Sequence, residues 1–224
     1  MVRDAAGGDE AARQAFATQY QRLVRGFIAG RWRGAGELAG QVDDAAQEVF
    51  LECLKPDGAL ARAEAAHGSF RSLLFAVTHN VIRRFEKRLV RGNERGAGGT
   101  DDLIAVAASD PSASRVFDGM WADSILREAA RRHRAAAQRA GDGQLQRLRI
   151  LELRHGEGMP IRRVAAELGI ADTAAVHNDY RRARREYRQH LRAVVQEWTG
   201  ADDADVDDEC RRLGELLAAA RSHE

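Results

Sequence analysis

A row of polar and basic side chains towards the C-terminal end of the chain has the chemistry of a DNA-binding surface. Helical spacing after residue 173 places four apolar residues in one stripe: Val176, Tyr180, Ala183 and Tyr187. The opposite face carries Ala174, Asn178, Arg181 and Arg185, flanked by His177, Arg182 and Arg188. Guanidinium groups neutralise phosphates, and amides read base edges. The pattern favours DNA binding over its alternative, a helical hairpin with a solvated arginine face.

The residues before this helix predict the turn that would present it. Pro160 suits a first helical turn, and apolar residues then recur at helical spacing: Ile161, Val164, Ala165 and Leu168. Gly169 can end that helix, and Asp172 or Thr173 can cap the next one. A short helix, a glycine turn and a longer basic helix predict a helix-turn-helix whose second helix reads DNA.

The net charge of +1 conceals a separation of charge along the chain. Residues 83–95 hold six basic and two acidic side chains, whereas residues 197–209 hold seven acidic and no basic ones. Cys53 and Cys210 are the only cysteines, so neither a structural disulfide nor a zinc site is expected, and a reducing cytoplasm fits. No apolar run approaches a membrane span, so we expect no membrane association.

An acidic helix face is predicted between residues 42 and 54. Its inward positions are apolar, and its outward positions carry four candidate binding residues: Asp43, Asp44, Gln47 and Glu48. No histidine lies at ligand spacing, so no metal site is expected there. The simplest interpretation is an exposed surface.

A strong amphipathic helix is predicted from Ser69, which can cap it. Its buried face is predicted to consist of Phe70, Leu73, Leu74, Val77, Val81, Phe85 and Leu89. His79 and Arg83 are predicted to lie roughly opposite, with Asn80 and Lys87 beside them. An amide, an imidazole and basic groups on one exposed face suit phosphates and base edges.

These patterns predict an all-α protein of two small helical domains joined by a flexible linker, the second ending in the helix-turn-helix. Few prolines, frequent Ala, Leu and Arg, and no alternating β-branched runs support the class. The linker is rich in Gly, Ser, Ala and Asp, with an apolar LIAVAA patch. The predicted segments are an N-terminal domain at 9–91, the linker at 92–115, a C-terminal domain at 116–196 and an acidic extension at 197–224.

The order of these motifs resembles the bacterial sigma-70 superfamily, specifically its short two-domain members, the ECF-type (extracytoplasmic function) sigma factors. VDDAAQEVFLECL looks like the segment that docks on the clamp helices of the polymerase β′ subunit. GSFRSLLFAVTHNVIRRFEKR resembles the segment that opens and reads the promoter −10 element, and MPIRRVAAELGIADTAAVHNDYRRARREY resembles the −35 reader. FDGMWADSILREA is similar to the start of the second domain in one ECF subgroup. Together these motifs cover most of residues 16–195.

The resemblance implies a dissociable initiation subunit with no catalytic residue, cofactor or metal of its own. Core RNA polymerase would be bound through its β′ clamp helices and β flap, with clamp contacts from Asp43, Asp44, Gln47 and Glu48. The −10 element would be read by Phe75, His79, Asn80, Arg83, Arg84 and Lys87, with Arg88 as a further phosphate contact. The −35 element would be read by Thr173, Ala174, His177, Asn178, Arg181, Arg182 and Arg185. An anti-sigma factor is a further possible partner, and the expected location is the nucleoid of a bacterial cytoplasm.

The chain departs from the family pattern in two places. Leu73 and Phe75 stand where members often carry Trp and Tyr, and His79 replaces a commonly basic residue. The turn before the reader helix is about one residue longer than usual.

Two other classes of function share parts of this pattern. An operator-binding regulator would use only the C-terminal helix-turn-helix, without polymerase and usually as a dimer on a palindrome. A helical enzyme is disfavoured, since no nucleophile–base set, metal spacing or glycine-rich phosphate loop is present.

Overall fold

The computed structural model describes residue 5 and residues 9–55, 58–60, 70–91, 110–200 and 205–221. In these ranges the chain forms helices and turns and contains no strand, so the predicted all-α class is confirmed. The α-helices are α1 (Glu10–Arg31), α2 (Val42–Leu54), α3 (Phe70–Arg91), α4 (Pro111–Ala140), α5 (Asp142–Leu151), α6 (Ile161–Glu167), α7 (Thr173–Thr199) and α8 (Val206–Arg221). A 3₁₀ helix (Gly36–Gln41) precedes α2, and a π-helical turn (Glu152–Gly156) continues α5. None of the described helices is long and apolar enough to span a membrane.

Aspartate side chains cap the N-termini of three of these helices. The carboxylates of Asp9, Asp110 and Asp172 accept hydrogen bonds from backbone N–H groups in the first turns of α1, α4 and α7. These groups would otherwise lack a partner at a helix start. Pro111 occupies the first position of α4, where its missing N–H costs nothing. The starts of these helices are therefore encoded locally.

One apolar core contains residues from both predicted domains. Tyr20 of α1 stacks on Trp121 of α4, with ring centroids 5.8 Å apart and planes 6° from parallel. Trp198, near the end of α7, meets the Tyr20 ring at 5.1 Å, and the Tyr20 hydroxyl donates a hydrogen bond of 3.0 Å to the Trp198 carbonyl. Leu213 of α8 is buried in the same core. The aromatic side chains of α1 are thus part of this core.

A second, smaller apolar cluster supports the start of α7. Its buried members come from α5, the π-helical turn, α6 and α7: Ile150, Leu153, Ile161, Val164, Ala165 and Val176. Tyr180 and Ile170 pack against it from the edge. The 27-residue α7 therefore begins on the second cluster and ends at Trp198 in the main core, roughly 36 Å from Ala174 at 1.5 Å per residue.

Parts of the predicted linker and of the predicted acidic extension belong to helices. Residues 111–115, assigned to the linker, are the first turns of α4, while 92–109, including the LIAVAA patch, lie outside the described residues, as does Ser69. Residues 197–199 complete α7, and the acidic extension contributes buried side chains to the main core. The division into two domains stays a prediction, and its two parts share one core.

Several side chains differ from their predicted burial. Leu89, placed on the buried face of α3, is 45% exposed, and Leu73 is half-buried. Cys53 and Cys210 are free thiols in this structure. Burial raises the pKa of the Cys53 thiol to about 12.

Candidate nucleic-acid interface

The turn between α6 and α7 is formed by a left-handed glycine. Gly169 has φ = 66°, a conformation that costs little only without a β-carbon. Its N–H donates to the Ala166 carbonyl at 3.2 Å, and the Ile170 N–H donates to the Ala165 carbonyl at 2.9 Å. This pair of bonds is the Schellman arrangement, which satisfies the last carbonyls of a helix. It also directs Ile170 against the second apolar cluster.

The first turns of α7 expose the residues predicted to read the −35 element. Asp172 caps the helix, its carboxylate accepting from the Ala174 N–H at 2.8 Å. Val176 is buried and fixes the rotation of the helix. The exposed members of the predicted set are Ala174, His177, Asn178, Arg181, Arg182 and Arg185, and Thr173 is half-buried. The structure therefore brings this whole set onto one continuous surface.

The electrostatics of this surface follow from where its carboxylates point. Within the described part of the chain, neither Arg181 nor Arg185 forms an ion pair, and Arg182 is 4.0 Å from Asp179. Glu186 of α7 turns inward, where Arg147 (3.1 Å) and His133 (3.5 Å) lie beside its carboxylate. The outer face is consequently positive, which suits a phosphate backbone.

Arg184 adds a cation that sequence reasoning left out of the predicted set. Its guanidinium carbon lies 5.7 Å from the centre of the Tyr180 ring, so the ring holds the charge at the edge of the exposed surface. The spacing of Tyr180 and Arg184, four residues apart on one helix, was the pattern that could have identified it.

Replacing Asp172 by alanine is expected to lower the free energy of unfolding by about 1 kcal/mol, because the Ala174 N–H loses its partner. Chemical denaturation followed by circular dichroism measures the change. Asp142→Ala is the matched control, because Asp142 lies in the first turn of α5, whose start has no side-chain cap. Equal losses in both variants would contradict a specific capping role.

The predicted polymerase-binding residues separate into two environments. Asp43, Asp44 and Gln47 are exposed, as predicted. Glu48 is instead half-buried between α2 and α3, where its carboxylate meets the guanidinium groups of Arg84 (2.8 Å) and Arg88 (3.3 Å). The prediction that Glu48 lies on the free outer surface is corrected, because α3 packs its basic side against this residue.

The same ion pairs alter the expectation for the basic residues of α3. Arg84 lies between Glu48 and Glu52, with its second pair at 3.0 Å. Its charge is already balanced within the protein, so it is not a free phosphate ligand in this structure. Arg83 is half-buried and Lys87 is exposed; within the described residues neither forms an ion pair. They remain the available cations of the predicted −10 set.

A groove of about 890 Å³ runs between α1 and α2 beside the exposed part of the acidic face. Asp43 and Gln47 line it from α2, and Gln14 and Gln21 line it from α1. Leu51, which also lines it, is 62% exposed. Sequence reasoning missed Leu51, although it falls four residues after Gln47 on the same helix face.

Phe75 and His79, both assigned as −10 readers, are buried, and for His79 this corrects its predicted place on an exposed face. Each residue is only 6% exposed, because the start of α4 lies against this side of α3. The Phe75 ring meets the Phe117 ring at 5.4 Å, and His79 Nε2 lies 3.8 Å from an Asp110 carboxylate oxygen. Asn80, one residue further on, is half-buried.

The environment of His79 favours its neutral form. Burial lowers the pKa of the imidazole, and Arg83 and Arg31 act in the same direction, whereas Asp110 and Glu86 oppose them. Its Nδ1 atom is buried without a hydrogen-bond partner among the described residues.

No group of three or more His, Cys, Asp and Glu side chains in the described ranges is arranged to hold a metal ion.

No family model, curated protein or solved structure matches this chain.

Proposed function

We propose that this protein is a sigma factor of the ECF type. It binds core RNA polymerase, recognises −10 and −35 promoter elements, and directs DNA-templated transcription initiation in the cytoplasm. The observation that carries the proposal is the surface of α7, where exposed amide, imidazole and guanidinium groups follow a capped helix start and a tight glycine turn. The collinear motifs that resemble the family support the assignment to this class rather than to another DNA-binding class.

At the −35 element, residues early on α7 reach base edges and later ones reach phosphates. His177 and Asn178 lie one turn into the helix and offer an imidazole and an amide, the groups that pair with bases in a major groove. Arg181 and Arg185 lie further along the same face, where guanidinium groups meet the DNA backbone. The positive field of this face also increases the rate of encounter with DNA.

The exposed part of α2 and the groove beside it form the proposed contact with the β′ clamp helices of the polymerase. Asp44 and Gln47 supply polar groups, and Leu51 supplies apolar area at the edge of the groove. A mixture of apolar contact and peripheral charge is typical of protein interfaces. Glu48 contributes indirectly here, by holding α2 against α3 through Arg84.

Reconstitution with core RNA polymerase tests the function directly. The purified chain is mixed with core enzyme and a genomic DNA library, and protected fragments and transcript start points are sequenced. A sigma factor yields shared −10 and −35 motifs only when both protein components are present. Failure to form a complex with core polymerases from several bacterial phyla would contradict the proposal.

Asp44→Lys is expected to weaken binding to core polymerase about tenfold, because it reverses an exposed charge that forms no ion pair within the described ranges. Sedimentation or fluorescence anisotropy with labelled protein measures the affinity. Glu215→Lys, at an exposed residue of α8, has the same charge change and is expected to bind normally. Glu48→Lys is unsuitable, since it also breaks the pairs with Arg84 and Arg88.

A second candidate function is an operator-binding regulator that acts without polymerase. The burial of Phe75 and His79 favours it, because a regulator has no need to expose a −10 reader. Such a protein would bind duplex DNA alone, as a dimer on a palindromic site. Analytical ultracentrifugation with and without duplex DNA separates the two candidates.

A further inference from the structure

Three residues on one stripe of α3 are covered by the start of α4. Arg71, Phe75 and His79 are spaced four residues apart and therefore share a helix face. They meet, in order, Asp118, Phe117 and Asp110, so that the start of α4 runs in the opposite direction along the stripe. The covered side of α3 includes two of the residues assigned to −10 reading.

The groups that α4 presents to α3 resemble the groups that a bound nucleic acid presents to a protein. Both ends of the stripe carry nitrogen groups on α3, and both are faced by carboxylates of α4. Asp110 and Asp118 are eight residues apart, which is roughly 12 Å along a helix. Between them the Phe117 ring contacts the Phe75 ring in a tilted arrangement, with planes 52° apart, so it occupies the space beside a ring on which a base could stack. The start of α4 thus presents two anions and an aromatic group to this face.

We propose that the start of α4 is an internal competitor of single-stranded DNA for the Arg71–Phe75–His79 stripe of α3. The inference rests on the proposed function, in which α3 opens and reads the −10 element and so meets one separated strand of it. In the form described here the stripe is closed, and single-stranded DNA binds it only after α4 leaves. A segment of the same chain has a high effective concentration, so weak contacts suffice to keep the stripe occupied.

The contact is also suited to release. Its charged pairs lie at the edge of the core: the Asp118 and Arg71 side chains are 15% and 29% exposed. Phosphate oxygens can take the place of these carboxylates, since both are anionic hydrogen-bond acceptors for a guanidinium group. Other groups around His79 are Arg31, Arg83 and Glu86, and Arg31 also lies 3.9 Å from Asp110.

The test removes the two carboxylates and preserves the fold. In the double variant Asp110→Asn/Asp118→Asn both side chains keep nearly the same shape, and asparagine caps a helix about as well as aspartate. The probe is a fluorescently labelled pool of random single-stranded DNA 12-mers. We expect the double variant to bind it at least about fivefold more tightly than the unmodified protein, with faster amide hydrogen exchange in α3.

The matched control has the same net charge change at positions away from the stripe. Asp123 pairs with Arg127 within α4, and Asp142 is exposed at the start of α5. Asp123→Asn/Asp142→Asn is expected to leave exchange in α3 unchanged and to raise affinity for the DNA pool by twofold or less. An equal gain in both double variants would show a general charge effect and overturn the proposal.

Two further outcomes separate this inference from the proposed function. If exchange in α3 and affinity for the pool stay unchanged while polymerase-dependent transcription is normal, the competitor role is wrong and the sigma function stands. If no polymerase complex forms, yet the Asp110/Asp118 variant opens α3 and gains affinity, the sigma function is wrong and the competition between α4 and single-stranded DNA stands.

Discussion

Trp121→Ala is expected to lower the free energy of unfolding by about 4 kcal/mol and to expose backbone amides of α1 and α3 as well as α4. The side chain is 1% exposed, and its ring contacts Tyr20, Phe70 and Trp198. Truncation of a buried tryptophan removes apolar burial and leaves a cavity. Because two of these partners belong to the predicted N-terminal domain, the loss reaches across the predicted boundary.

Hydrogen exchange measured helix by helix checks this result. Val164→Ala in the second apolar cluster is the comparison, with an expected loss of about 2 kcal/mol or less. Its effect is expected to concentrate in α5, α6 and the first turns of α7, since those elements form that cluster. If Trp121→Ala left exchange in α1 and α3 at its original rate, the two predicted domains would be energetically independent.

Arg181→Ala/Arg185→Ala is expected to weaken binding of promoter duplexes about a hundredfold at low salt. Each guanidinium contact with a phosphate contributes on the order of 1.5 kcal/mol, and a factor of ten corresponds to about 1.4 kcal/mol. Loss of two phosphate contacts also makes the dependence of log affinity on log salt shallower by roughly two units. Fluorescence anisotropy across a salt series, in the presence of polymerase, measures both quantities.

Two variants define what this result means. Arg127→Ala/Arg131→Ala removes two exposed arginines of α4 that pair with Asp123 and Glu128, so duplex affinity is expected to change little. Asn178→Ala is expected to change base preference at one position of the −35 element, because an amide reads a base edge. A uniform loss at every sequence for Asn178→Ala would assign that residue to the backbone contacts.

The helix whose start covers α3 also contacts the proposed DNA-reading helix, because α4 and α7 are joined along their length. The Tyr187 hydroxyl donates to the Leu126 carbonyl at 3.4 Å, and Arg132 of α4 pairs with Glu197 of α7 at 2.8 Å. Departure of the start of α4 from α3 would therefore carry part of α7 with it or bend α4. In this arrangement, binding of the −35 element to α7 favours the form in which α3 is uncovered. We therefore expect the protein to bind single-stranded DNA more tightly when a −35 duplex is already bound than when it is absent.

The sequence by itself determined the helices and the orientation of the candidate reader. The alternation of apolar and polar residues in α7 depends only on helical geometry, so Val176 inward and Asn178 outward follow without tertiary information. Asp172 and Gly169 act on their immediate neighbours, which is why the cap and the turn could also be predicted. The same local logic placed Asp43 and Asp44 on the exposed side of α2.

Only the tertiary structure decided which side of α3 is covered and which charges are already paired. Helical periodicity identifies one apolar stripe, but a helix from a distant part of the chain can bury a second, more polar stripe. For this reason Phe75, predicted to read the −10 element, and His79, predicted to be exposed, lie beneath α4, and Glu48 faces Arg84 instead of solvent. Trp198 became part of the main core because α7 is long enough to return to Tyr20, a contact between residues 178 positions apart. Such long-range contacts depend on how the helices pack, which no local pattern encodes.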